Sequence, residues 1–408
     1  MSISYQVVAQ SDVRFTVLAG DYARRDCPMS VDLSGLGLEL QNKVPQLSLV
    51  DKKSETPVPC QLEAESSARL WFIVSGEMQK GAVRSYVLRL LDSVAVVPAG
   101  VRVSRNDEAV TLMLDGKPLL RYQYREVLPP EGIDPLFRRS GFIHPLWSPA
   151  GDVLTRIQAP DHYHHYGLWG PWTKTHINGR EVDFWNLNSG QGTVRFADFL
   201  SMTEGCVYSG FSALQQHIDF GNKGADQIAL NEMLNIRVWN LDGQIRLLDY
   251  TSILNCPLAS GILLDAYRYG GGIGFRATEH WNRDNSITLT SEGLDRKQAD
   301  GTRARWCVIE GELPGGRGGI LFMSHPSNRE FPEPMRVWPE DANQRGDVYF
   351  EFTPIRHKEW RLQRGKNYSQ RYRLLLYNGK LSKEDAERYW SEFAYPPQVV
   401  FVTPAKLK

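Results

Sequence analysis

The sequence predicts a mainly β protein: a large antiparallel β-sandwich, with a smaller β region before it and one helix near the C-terminus. Three observations carry that expectation. Apolar and polar residues alternate over long stretches, as where Ile236 and Val238 flank Arg237, and Ile245 and Leu247 flank Arg246. Period-two alternation is what a strand with one wet face requires. Asp-Gly and Asn-Gly pairs separate such stretches, and these residues tolerate the positive φ of a type I′ hairpin turn. Aromatic residues are plentiful, with 11 Trp, 17 Tyr and 16 Phe, and bulky rings suit pleated surfaces.

The elements follow in order. Residues 5–95 contain short β-like runs, among them Leu70–Val74 and Tyr86–Leu90. Val97-Pro98-Ala99-Gly100 reads as a boundary, giving an N-terminal β-sandwich-like region over 1–98 and a larger sandwich domain over 99–408. A hairpin is expected over 109–124, turning at Asp115-Gly116. A longer one is expected from Leu234–Leu241 and Gln244–Leu254, turning at Asp242-Gly243. Asn378-Gly379 follows a further strand, Arg371–Tyr377. Ser382 and Asp385 then open a helix in the manner of a capping box, with Asp in place of Glu. Ala386, Tyr389, Trp390, Phe393 and Ala394 continue at helical spacing, and Pro396-Pro397 ends it.

Composition excludes several classes. Lys plus Arg and Asp plus Glu are both 47, so the net charge is zero. No basic excess points to nucleic acid or to an anionic membrane surface. No apolar run reaches the roughly 18–20 residues of a spanning helix. The start, Met1 to Gln6, has no basic, apolar leader pattern, so a cytoplasmic protein is expected. The five cysteines lack CxxC spacing and are odd in number, which favours reduced structural thiols.

Function concentrates in one segment. Of nine histidines, five lie between His144 and His176. Three of them sit in Asp161-His162-Tyr163-His164-His165-Tyr166-Gly167-Leu168-Trp169. Imidazole titrates near neutrality and is the commonest metal ligand. A cluster flanked by an acid and aromatic rings therefore points to proton transfer or to a divalent metal. In an extended segment His162 and His164 share one face and His165 lies opposite. His144, His162 and His164 or His165 are the candidate metal ligands. In the acid–base reading, histidines reach a substrate oxygen and a carboxylate complements them.

Other residues join as candidates. The run Tyr269 to Ala277 holds Gly270, Gly271, Gly272 and Gly274, a bulge or turn that presents Arg276 to a carboxylate or hydroxyl. It lacks the Gly-Lys-Ser/Thr of a phosphate loop. Glu279 and Glu292 offer carboxylates. His325 and Asn328 lie in a polar loop after the apolar strand Gly319–Met323. Trp169 and Trp185 are candidates to stack on a sugar ring. No G-x-S-x-G elbow is present.

The ordered set His144-Pro145-Leu146, Asp161-His162-x-His164-His165-x-Gly167-Leu168-Trp169, Asp183-Phe184-Trp185, Gly271 to Ala277, Thr290-Ser291-Glu292-Gly293 and His325-Pro326-Ser327-Asn328 resembles a bacterial family that has carried the label of a methane-oxygenase subunit (PmoA-like). The resemblance covers roughly residues 100–380 and departs from the family at Tyr163 and Tyr166. The label conflicts with a strand-rich chain that lacks a spanning helix. The resemblance implies instead a soluble supersandwich similar to galactose mutarotase, in proteins that accompany sugar oxidoreductases and sugar catabolism. By that analogy His144, His164 or His165 would work with Glu292 or Glu279 on a sugar ring. The resulting expectation is a carbohydrate-active enzyme: His164 and His165 move protons, His144 supports them and Glu292 is the base. Substrate contacts would come from His162, Trp169, Trp185, Arg276, Glu279, His325 and Asn328. The alternatives are a His-ligated divalent-metal enzyme and a non-catalytic sugar-binding protein. The expected partner is a small carbohydrate, with no nucleic acid and no membrane.

Overall fold

The computed structural model describes residues 12–34, 46–63, 68–91, 100–221, 226–241, 243 and 245–402. The expected boundary at 97–99 lies outside the described residues, as does Asp242 of the second expected turn. The chain divides into two compact units.

The first unit is a small β-sandwich. One sheet runs Gln398–Phe401, Val13–Leu18, Val83–Leu91, Gln46–Asp51, Pro57–Val58, and the other Arg24–Asp32, Arg69–Met78, Cys60–Glu63. Its edge strand therefore comes from the far end of the chain, pairing Phe15 with Phe401 and Leu18 with Gln398. Phe15, Val17, Met29, Val31, Leu70, Phe72 and Val74 fill the space between the sheets.

The second unit is the large antiparallel sandwich. Its nine-stranded sheet runs Arg303–Ala304, Glu333–Val337, Tyr349–Phe352, Ile273–Arg276, Leu168–Trp169, Phe142–Leu146, Lys117–Gln123, Ala109–Leu114, Arg102–Arg105. Its eight-stranded sheet runs Gly192–Thr203, Tyr208–Asp219, Gln227–Trp239, Ile245–Asn255, Asn367–Asn378, Gly316–Ser324, Trp306–Leu313, Ser286–Thr290. One core joins them: Leu112, Leu120, Ile143, Phe275 and Phe350 from the first sheet meet Phe211, Leu234, Leu248, Phe322 and Leu374 from the second. Burying this apolar surface at about 25 cal/mol per Å² is the main force closing the sandwich.

Local signals act where they are expected. Asp115 and Gly116 adopt φ of 53° and 73° and join the strands at Leu114 and Lys117. The helix Lys383–Ala394 is capped by Ser382, whose Oγ accepts from the Asp385 N–H at 3.0 Å. The Asp385 carboxylate accepts from that same hydroxyl at 2.8 Å. The helix packs on Trp306–Leu313 and Gly316–Ser324, with Trp390 Nε1 donating to the Ser324 carbonyl at 3.0 Å. The five cysteines form no disulfide among the described residues. Among the described residues no helix is long and apolar enough to cross a membrane.

Candidate functional site

A two-stranded ribbon, Ile157–Ala159 against His162–Tyr166, carries the histidines. Its register is irregular: Ile157 pairs with Tyr166 and Ala159 with His162, so four residue steps oppose two. The two extra residues form a bulge, and a bulge breaks the alternation of side chains. The expectation that His165 lies opposite His162 and His164 is therefore corrected. The three rings meet, with centroids 5.3 Å apart for His162 and His164, 4.6 Å for His162 and His165, and 4.9 Å for His164 and His165. One nitrogen from each lies within 4.8 Å of the other two.

Charged partners fix one ring. The Asp161 carboxylate accepts from His162 Nδ1 at 2.7 Å, from Arg276 Nη2 at 2.8 Å and from Asn343 Nδ2 at 2.7 Å. Arg276 Nη2 also reaches Asp347 at 2.8 Å, and Asn343 reaches Asp347 at 3.0 Å. Burial pushes the Asp161 carboxyl up, but the hydrogen bonds from His162 and Arg276 and the Arg276 charge outweigh it and hold it below the usual carboxylate range. An ionised carboxylate only accepts, so His162 carries a proton on Nδ1.

The other two rings are uncharged at neutral pH. Burial pushes the His164 imidazole down to about 4, and nearby His162 adds to the fall. Burial also holds His165 well below the ordinary value, with His164 and Arg276 adding to it.

Aromatic rings enclose them. Trp185 stacks on His165 at 5.5 Å, and Tyr349, Trp338 and Trp169 approach it at 5.1, 5.5 and 5.5 Å. Trp185 is placed by its own segment: Asp183 Oδ1 accepts from the Trp185 and Asn186 N–H groups, and Trp185 Nε1 donates to the His164 carbonyl at 3.2 Å. The Arg276 guanidinium lies over Trp338 at 4.7 Å. The glycine run before Arg276 packs on another ring: a Cβ on Gly271 would lie 2.1 Å from the Trp172 ring. Trp169 and Trp185 are only 1% and 3% exposed, so the open approach runs past the half-buried His162, Tyr163 and His164. His165 Nδ1, Trp169 Nε1 and Arg276 Nη1 are buried here without a protein hydrogen-bond partner.

The structure thus gathers His162, His164, His165, Trp169, Trp185 and Arg276. It places the other candidates elsewhere. His144 hydrogen-bonds Thr155 Oγ1 at 2.9 Å, and burial pushes its imidazole down to about 4. Glu292 accepts from Ser291 Oγ at 3.0 Å and faces Arg305. Glu279 faces Arg156 at 3.8 Å and is 64% exposed. His325 bonds Ser327 at 2.8 Å and lies edge-on to Phe393 of the helix. The Asn328 amide is spent inside the fold, on Glu333 and on the Arg371 backbone.

Sequence reasoning left Asp161 outside the working set, although its adjacency to His162 was a usable signal. Trp338, Asn343, Asp347 and Tyr349 had none, since only the tertiary fold brings them to the site.

No curated protein matches the chain. Among solved structures it is similar to an alpha-mannosidase from Enterococcus faecalis V583, at 8% identity and a TM-score of 0.49, covering 98% of this chain and 47% of that one. It is similar to a heparan sulfate lyase HepC from Pedobacter heparinus at 8% identity and a TM-score of 0.33, covering 71% of this chain and 38% of that one. The chain spans less than half the length of these structures. A family model matches residues 109–391, which include the whole histidine site, and on that match the chain belongs to the family of unknown function DUF6807.

Proposed function

We propose that the chain is a carbohydrate-active enzyme working at the site of His162, His164 and His165, on a sugar or glycoside. The observation that carries this reading is the convergence of three imidazoles within 4.8 Å, with Arg276 and an aromatic wall beside them. Uncharged imidazoles present lone pairs, which accept protons or bind electrophiles. Hydrolysis, elimination and epimerisation of a sugar each need such a group beside an oxygen or an acidic C–H. Buried donors without protein partners, Arg276 Nη1 and Trp169 Nε1, suit a ligand rich in oxygen acceptors. The same reading takes the sandwich as galactose-mutarotase-like and the protein as cytoplasmic. The carboxylates of Glu279 and Glu292 hydrogen-bond none of the three imidazoles, so the complementary acid nearest to hand is Asp161, acting through His162.

The test is a screen of glycosides and keto-glycosides with product analysis, comparing the wild type with His164→Ala and His165→Ala. Each variant is expected to lose roughly 10²–10⁴-fold in turnover. Folded variants with full activity refute the reading, and tight binding of a sugar that emerges chemically unchanged replaces it with a sugar-binding protein.

A further inference from the structure

We propose that His162, His164 and His165 are the protein ligands of one divalent transition-metal ion, and that Asp161 is the carboxylate that positions His162 for it. The inference deepens the proposed function and rests on it only in taking this site as the working centre.

The spacing fits. A tetrahedral ion with nitrogen ligands at about 2.0–2.1 Å holds them roughly 3.3 Å apart. The three ring nitrogens already lie within 4.8 Å of one another, so modest side-chain rotations close the set. The bulged ribbon supplies this convergence from a short run of sequence, and its neighbours hold it. Trp185 pins the His164 backbone carbonyl at 3.2 Å and stacks on His165.

The arrangement around the ligands fits as well. Metal-bound histidines characteristically give their other N–H to a carboxylate or carbonyl, which fixes the tautomer and ring direction. His162 Nδ1 donates to Asp161 in that way at 2.7 Å, and Arg276 and Asn343 anchor the carboxylate in turn. His165 is 1% exposed and its Nδ1 has no protein partner. An ion bound through that Nδ1 would give the buried nitrogen the partner it lacks.

Ligand chemistry sets the class of ion. Three imidazoles suit zinc and its first-row neighbours, whereas magnesium and calcium select oxygen. His165 is enclosed while His162 and His164 are half-buried, so the side away from the aromatic wall stays open. Three protein ligands and an open position are the pattern of a catalytic ion. Bound there, the ion would polarise a sugar hydroxyl or carbonyl oxygen as a Lewis acid.

The experiment uses the full chain, stripped by chelator and titrated with Co²⁺, reading the visible ligand-field band, with elemental analysis of the native protein. The expected result is one ion per chain and a saturable band. Asp161→Asn should weaken Co²⁺ binding about 10–100-fold, while His164→Ala and His165→Ala remove the band. Should His165→Ala fail to fold, the half-buried His164 carries the same test. No ion in native protein and no band in the wild type, or a band unchanged in His164→Ala, overturns the proposal. The two readings fail separately. An ion without sugar chemistry overturns the function and keeps the site. Histidine-dependent sugar chemistry that persists with no ion does the reverse.

Discussion

Glu333 is a buried polar strut across the sandwich, and replacing it should change how stability depends on pH. It sits on the nine-stranded sheet with no exposure. From the opposite sheet the Tyr372 hydroxyl donates to it at 2.8 Å and the Ser324 hydroxyl makes a short hydrogen bond to it. Asn328 donates at 2.8 Å. Burial pushes its carboxyl up to about 7 from an ordinary 4.5, against the pull of these three bonds. A carboxyl whose pKa is raised on folding contributes stability that is present below about pH 4.5 and is lost as pH rises through about 7. At 1.36 kcal/mol per pH unit the whole effect is on the order of 3 kcal/mol, of which roughly 2–3 falls between pH 5 and 8. For a unit of roughly 290 residues, about 2.1 cal/mol/K per residue turns that into a shift of about 4 °C. Glu333→Gln keeps the shape and removes the titration. The assay is thermal unfolding of both proteins at pH 5 and pH 8. The wild type should lose about 4 °C more than the variant over this interval. Equal slopes, or a wild type that gains stability with pH relative to the variant, would refute the reasoning. The slope is the readout, since Gln also rearranges hydrogen bonds and shifts both melts together.

Two further predictions concern the Gly271–Trp172 contact and the anchor of the histidine site. Gly271→Ala puts a Cβ 2.1 Å from the buried Trp172 ring at a φ of +90°, so it should cost roughly 2–4 kcal/mol; a wild-type melt would show that the loop yields freely. Arg276→Met leaves Asp161 and Asp347 without their shared cation, a loss of roughly 3–5 kcal/mol. Adding Asp347→Asn should restore part of it, and no recovery in a denaturant titration of the double variant would count against the charge argument.

The strands and the helix were legible because their signals are local. Asp115-Gly116 must turn, since its positive φ suits few other residues, and the alternation around Arg237 fixes which face is wet; around Arg246 it misleads, because Arg246 is buried on the core side with Leu248 and Tyr250 while Ile245 is half-buried. The helix could be placed from Ser382 and the spacing of Tyr389, Trp390 and Phe393. The pairing of Val13–Leu18 with Gln398–Phe401 had no such signal, because backbone hydrogen bonds carry no record of sequence separation.

The site divides in the same way. Residue type and crowding alone marked His162, His164, His165, Trp169, Trp185 and Arg276, because clustered imidazoles are costly to bury without a use. Direction was a tertiary matter. Period-two logic sent His165 to the far face, and only the bulge against Ile157–Ala159 brought it round. The same holds for the partners. Glu279 and Glu292 looked suitable by type but extend towards Arg156 and Arg305 at the surface. Asn328 looked like a loop ligand and is spent on Glu333 and Arg371. The sequence by itself determined the β-rich class, the Asp115-Gly116 turn and which residue types crowd the histidine ribbon. The tertiary structure decided which way each ring points, and that Asp161, Asn343 and Asp347 hold Arg276 and His162. Hydrogen bonds and charge pairs act over a few ångströms, and only the tertiary fold brings residues about 180 positions apart within that range.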